Sequence, residues 1–128
     1  MPRIIIATDK APAAIGSYSQ AVKIDNTVYL SGQIPLNPET MLLVSDDFKL
    51  QIDQVFKNLA SVAEAAGGTL NDAVKLHVYL TDLENFSIVN QVMSDYITEP
   101  FPARAVIGIS NLPKGAKVEI DAILQLGC

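Results

Sequence analysis

One cysteine and one histidine are all that this chain offers for thiol or imidazole chemistry. The cysteine is the last residue, Cys128, so no internal disulfide can form. A thiolate or imidazole metal cluster lacks ligands, and no metal is expected. Basic residues are also scarce. Nine Lys and Arg stand against fourteen Asp and Glu, for a formal net charge of −5. They are scattered, which argues against the basic stripe that a nucleic-acid binder presents to phosphates. No apolar run approaches the roughly 18 residues of a membrane helix. The opening Met1-Pro2-Arg3-Ile4-Ile5-Ile6 turns polar too soon for a signal peptide, so a cytoplasmic location is expected. Chemistry must then rest on carboxylates, arginine, tyrosine, hydroxyls and the backbone.

Apolar residues, by contrast, are plentiful: hydrophobic types make up 49% of the 128 residues. The length suits one domain, spanning 1–128, with one core. A domain this small cannot bury all the apolar surface it carries. Cover by another subunit is therefore expected.

Ala21–Ile24 and Thr27–Ser31 read as strands joined by a tight turn at Asp25-Asn26, with a further strand possible at Ile4–Ala7. From Ser45 the period becomes helical through Phe48, Ile52, Val55, Phe56, Leu59, Val62, Ala63 and Ala66. Asp46 and Asp47 stand at its start, and Gly67-Gly68 stops it. Alternation then puts Val74, Leu76, Val78 and Leu80 on one strand face and Lys75, His77 and Tyr79 on the other. Thr81-Asp82-Leu83-Glu84 has the form of a capping box opening a second helix with the stripe Phe86, Val89, Val92, Met93, Tyr96 and Ile97, ended by Pro100 and Pro102. Strands at Ala103–Ile109 and Lys117–Leu126 follow. The pattern predicts an α+β two-layer domain: one mixed sheet of about six strands with two helices on one face, and parallel strands flanking the second helix. Arg104, Val106, Glu119, Asp121 and Ile123 are expected on the opposite face, where aliphatics mixed with charges call for a covering subunit.

Several residues could carry chemistry. Arg104 has two readings: a strand arginine paired with a nearby carboxylate, or a clamp gripping a substrate carboxylate through two parallel hydrogen bonds. Glu119 is either a solvated strand carboxylate beside Asp121, or a partly buried acid with a raised pKa that relays protons to and from water. Tyr18, in Gly16-Ser17-Tyr18-Ser19-Gln20, is a packing tyrosine or part of a loop that approaches a ligand. Gly32, in Ser31-Gly32-Gln33-Ile34-Pro35, serves turn geometry or a close backbone approach. His77 reads as structural, and Gly67-Gly68 lacks the pattern of a phosphate loop.

Taken in order, Ala11-Pro12-Ala13-Ala14-Ile15-Gly16-Ser17-Tyr18-Ser19-Gln20-Ala21, Ser31-Gly32-Gln33-Ile34-Pro35, Glu64-Ala65-Ala66-Gly67, Asp82-Leu83-Glu84-Asn85-Phe86 with Val89-Asn90, Phe101-Pro102-Ala103-Arg104-Ala105, and Leu112-Pro113-Lys114-Gly115 with Val118-Glu119-Ile120 resemble the signatures of the reactive intermediate deaminase (Rid, or YjgF-type) family over nearly the whole chain. The resemblance implies a chorismate-mutase-like fold and a homotrimer with sites between subunits. It implies hydrolysis of imines and enamines such as 2-aminoacrylate to 2-keto acids and ammonia, with no cofactor. By the same resemblance Arg104 holds the substrate carboxylate, Glu119 positions the attacking water, Tyr18 and Asn90 join the site, and backbone near Gly32 and Val106 lines it.

Three positions depart from the family pattern. Val106 stands where many deaminating members have cysteine, Ser17 replaces a proline, and Met41 stands where glycine often follows the Glu39-Thr40 pair. A second reading makes the protein a non-catalytic trimer that binds small 2-keto or other carboxylate metabolites. A ribonuclease activity fits an acidic chain without a histidine cluster poorly.

Overall fold

The computed structural model describes residues 2–127; the lone cysteine, Cys128, lies outside them. The strands are β1 (Ile4–Ile6), β2 (Ala21–Ile24), β3 (Thr27–Gln33), β4 (Ala73–Leu80), β5 (Ala103–Gly108) and β6 (Val118–Gln125), and the helices are α1 (Phe48–Ala65) and α2 (Phe86–Tyr96). The six strands form one sheet in the order β1-β2-β3-β6-β4-β5. β4 and β5, which flank α2, run parallel, and the other neighbours are antiparallel. This is the expected α+β architecture. Both helices bury their apolar stripes on one face, where Ile52, Phe56 and Leu59 of α1 and Val89 and Val92 of α2 meet Leu76, Val78, Ile120 and Leu124 of the sheet. Each such side chain contributes roughly 1.5–3 kcal/mol of burial.

The helix ends follow local chemistry. Asp47 caps α1 by accepting from the Leu50 N–H at 3.1 Å. Gly67, at φ +94°, turns the chain away where a side chain would be strained. Buried amides fix the loops. Asn58 on α1 donates to the carbonyl of Leu36 at 3.1 Å, and Gln51 donates to Ser45 and accepts from the Lys117 N–H. Gln20 donates to the carbonyls of Thr8 and Pro12 and accepts from the Thr8 N–H at 2.6 Å.

Four local expectations are corrected. Val74 does not join the core face, because a register shift between Ala73 and Lys75 leaves it exposed and puts Ala73 in its place. Asp82, rather than Thr81, caps the single 3-10 turn that leads into α2, accepting from the Glu84 N–H; at α2 itself Asn85 holds the N-cap position without a side-chain cap bond. Phe86 opens α2 but is 42% exposed and stands outside the core.

The fourth correction concerns the sheet faces. Arg104 pairs with Leu76 and Val106 with Val78, so both lie on the helix-covered side. Val106 packs against the core. Glu119, Asp121 and Ile123 face the other way, beside Tyr79, His77 and Lys75. Parity within a strand was read correctly; the side taken by β5 was not. On the helix-free face His77 Nδ1 meets Asp121 Oδ1 at 2.7 Å, and the Tyr79 hydroxyl donates to Asp121 Oδ2 at 3.1 Å. Ile5, Tyr29 and Ile107 are exposed there.

Candidate functional site

All the candidate residues but Val106 divide between two concavities. The first, of about 500 Å³, is lined by Tyr18, Gly32, Lys114 and Glu119 together with a mainly apolar wall that includes Ile15, Ile34, Leu36 and Met41. Its geometry starts in β3. Between Leu30 and Gln33 the pairing with β6 slips, so β3 carries one residue more than its partner. The slip falls on Ser31-Gly32. Ser31 donates its hydroxyl to the Ser19 carbonyl and its N–H to the Gln20 carbonyl, which ties the Tyr18 loop to the bulge. Gly32 then passes directly over Glu119: a Cβ there would stand 2.6 Å from Glu119 Oε2. The half-buried Glu119 carboxyl has its pKa raised, first by loss of solvent and then by the negative charge of Asp121 on the same face.

The second concavity, also about 500 Å³, is lined by Asn90, Met93, Ser94, Phe101, Pro102 and Arg104. Arg104 donates from Nη1 to Asn90 Oδ1 at 2.7 Å, with Met93 Sδ 3.7 Å away, and its guanidinium lies over the Phe86 ring at 5.2 Å. Phe86, Asn90 and Met93 are spaced i, i+4 and i+7, so one face of α2 holds the guanidinium. Its surroundings are an aromatic ring, an amide oxygen and a thioether. Among the described residues no carboxylate pairs with it; Asp53 is paired with Lys57, and Asp121 is in contact with His77. A cation held in place by neutral groups keeps most of its donors for an external anion.

Tyr18, Gly32 and Glu119 thus come together, as do Asn90 and Arg104, but the two sets do not meet within one chain. β4 separates β5 from β6, about 10 Å across the sheet, and Arg104 and Glu119 lie on opposite faces. Val106 follows Arg104 on β5, with its side chain turned to the core. The sequence reading missed Phe86 and Met93, which it placed in the core stripe; their spacing from Asn90 was the available signal. It also left Met41 and Lys114 out of the site. His77 lines neither concavity. Among the described residues no group of His, Cys, Asp and Glu could hold a metal, and no helix is long and apolar enough to cross a membrane.

Comparison with known proteins gives a consistent picture. Residues 8–125 match the family model described as Endoribonuclease L-PSP. The 2-iminobutanoate/2-iminopropanoate deaminase of Dermatophagoides farinae is 43% identical over 125 residues, covering 98% of each chain. RidA from the Antarctic bacterium Psychrobacter sp. PAMC 21119 is 54% identical, with a TM-score of 0.93 over 96% of this chain and 99% of its own. E. coli TdcF with bound serine is 35% identical, with a TM-score of 0.89 over 95% and 98% of the two chains.

Proposed function

The chain belongs to the YjgF/Rid family, the family of the Endoribonuclease L-PSP model and of deaminases such as the one from Dermatophagoides, and on that premise we propose that it hydrolyses 2-imino acids and their enamines, such as 2-aminoacrylate, to 2-keto acids and ammonia in a cleft between protomers of a homotrimer. The observation that carries this reading is the pair of incomplete sites: a carboxylate-free guanidinium at the β5 edge, and a half-buried acid under the Gly32 bulge. Each lacks what the other has. Apposing the β5 edge of one protomer to the first cleft of its neighbour supplies both to one substrate.

In that cleft Arg104 grips the substrate carboxylate through the donors that Asn90 leaves free. The imine carbon is already electrophilic, so water adds without a strong nucleophile. Glu119 of the adjoining copy, with Tyr18 beside it, takes a proton from water as the oxygen bonds to carbon. That proton goes to nitrogen and gives the amino alcohol. The remaining proton of the new hydroxyl then passes to nitrogen as the C=O bond forms and the C–N bond breaks, so that ammonia leaves and the keto acid stays behind. A carboxyl whose pKa is raised by burial is suited to both transfers.

The test generates the imine in situ with an amino-acid oxidase and traps it with semicarbazide. The wild type should divert imine to keto acid. Arg104→Ala should lower kcat/KM by about 100-fold, the equivalent of ~3 kcal/mol for hydrogen bonds to a charged group. Glu119→Ala should lower kcat by a similar factor. Unchanged rates in both variants would overturn the proposal.

The serine bound in the TdcF crystal favours a second reading, a carboxylate-binding protein without catalysis. In that case Arg104→Ala abolishes 2-keto-acid binding while no variant changes hydrolysis. RNA cleavage is a weaker reading, since the chain is acidic and its single imidazole is bonded to Asp121 away from both clefts.

A further inference from the structure

Met41 occupies a backbone conformation that suits it badly. Its φ is +61°, in the left-handed region that glycine enters freely and an unbranched side chain enters only with strain. The loop that holds it is built from other groups. Met41 N–H donates to the Asn37 carbonyl at 2.8 Å and Asn37 N–H to the Leu42 carbonyl at 2.9 Å. The Asn37 side chain accepts from the N–H groups of Glu39 and Thr40, and Leu36 bridges to Leu43. None of these contacts uses the Met41 side chain, so glycine would serve the turn better. Strain that the local fold does not require points to a role for the side chain itself.

Met41 lines the cleft that contains Glu119, Gly32 and Tyr18, and Ile15, Ile34 and Leu36 line the same cleft. We propose that Met41 is the specificity-determining residue of this cleft, closing its apolar end so that imino acids with short, unbranched apolar side chains are taken in preference to branched or aromatic ones. The inference rests on the imine-hydrolase reading. A thioether chain is flexible and apolar: it yields to a linear aliphatic group, excludes charged ones, and leaves too little room for a ring.

The test compares wild type, Met41→Gly, Met41→Ala and Met41→Phe, with Leu42→Ala as a control. Leu42 is 65% exposed and does not line the cleft. Two readouts are taken: trapped-imine hydrolysis with alanine-, leucine- and phenylalanine-derived imines, and binding of the matching 2-keto acids. Met41→Gly and Met41→Ala should raise the leucine-to-alanine and phenylalanine-to-alanine ratios of kcat/KM at least about fivefold, since pocket methylenes discriminate by roughly 10–200-fold. Met41→Phe should lower those ratios, and Leu42→Ala should leave them unchanged. Met41→Gly should also melt above Met41→Ala, because it alone relieves the backbone.

Hydrolysis with ratios unmoved in all three Met41 variants overturns the inference and leaves the imine-hydrolase reading intact. No hydrolysis by any protein, with keto-acid preference still shifting at Met41, overturns that reading while Met41 keeps its role in selection. Rates that fall equally for every substrate mark Met41 as a turn residue only.

Discussion

A methyl group added to Gly32 would press on the carboxyl of Glu119, 2.6 Å from one oxygen and 2.9 Å from its carbon. The backbone at Gly32 thus lies close over the half-buried acid, whose pKa burial raises. Its effect on stability has a definite sign. Below the ordinary carboxylate range, about pH 4, Glu119 is protonated whether the chain is folded or not, and it contributes nothing. As pH climbs from there through the raised native value, the unfolded chain ionises first and the fold loses stability; the loss persists at higher pH. Glu119→Gln, neutral and of the same shape, should escape it. The melting temperature of Glu119→Gln minus that of the wild type should be near zero at about pH 4 and positive at about pH 7, and a difference that falls with pH would contradict the burial argument. Glu119 was legible as a candidate because it shares parity with Asp121. The contact with Gly32 was not legible, since it depends on a slip in pairing between two strands whose residues Gly32 and Glu119 are 87 positions apart, which no local pattern announces.

Elements were easier to read than their sides. The helical period of α1 and the alternation of β4 and β6 follow from which face each buries, and their bounds fall within a few residues of expectation. β5 is different. Alternation says that Arg104 and Val106 go together; whether they meet the helices depends on the register against Leu76 and Val78, which is a tertiary fact. The buried amides were equally silent in the sequence. Gln20 and Asn58 look like surface residues by type, yet Asn58 holds the Leu36 and Ile34 carbonyls of the cleft wall. Asn58→Ala would leave the Leu36 carbonyl without its donor, while the Ile34 carbonyl keeps the Leu36 N–H, and should destabilise the fold by about 1–3 kcal/mol. Denaturant unfolding would measure this, and a loss under about 0.5 kcal/mol would mean the Leu36 carbonyl finds another donor.

For the assembled molecule the decisive question is which copies share a site. In solution the mass should be three times that of the 13.8 kDa chain. If Arg104 of one protomer serves Glu119 of the next, two individually dead variants can rescue each other. Arg104→Ala and Glu119→Ala copies, unfolded together and refolded at equal ratio, should recover roughly a quarter of wild-type activity, because random assembly gives that share of seams with both groups intact. Recovery no greater than the sum of the separate variants would mean each site draws both groups from a single chain. The opposite-face placement of Arg104 and Glu119 has a genetic corollary. A copy carrying both substitutions yet still able to assemble would spoil the seam on each of its sides, so co-expression with intact chains should act as a dominant poison.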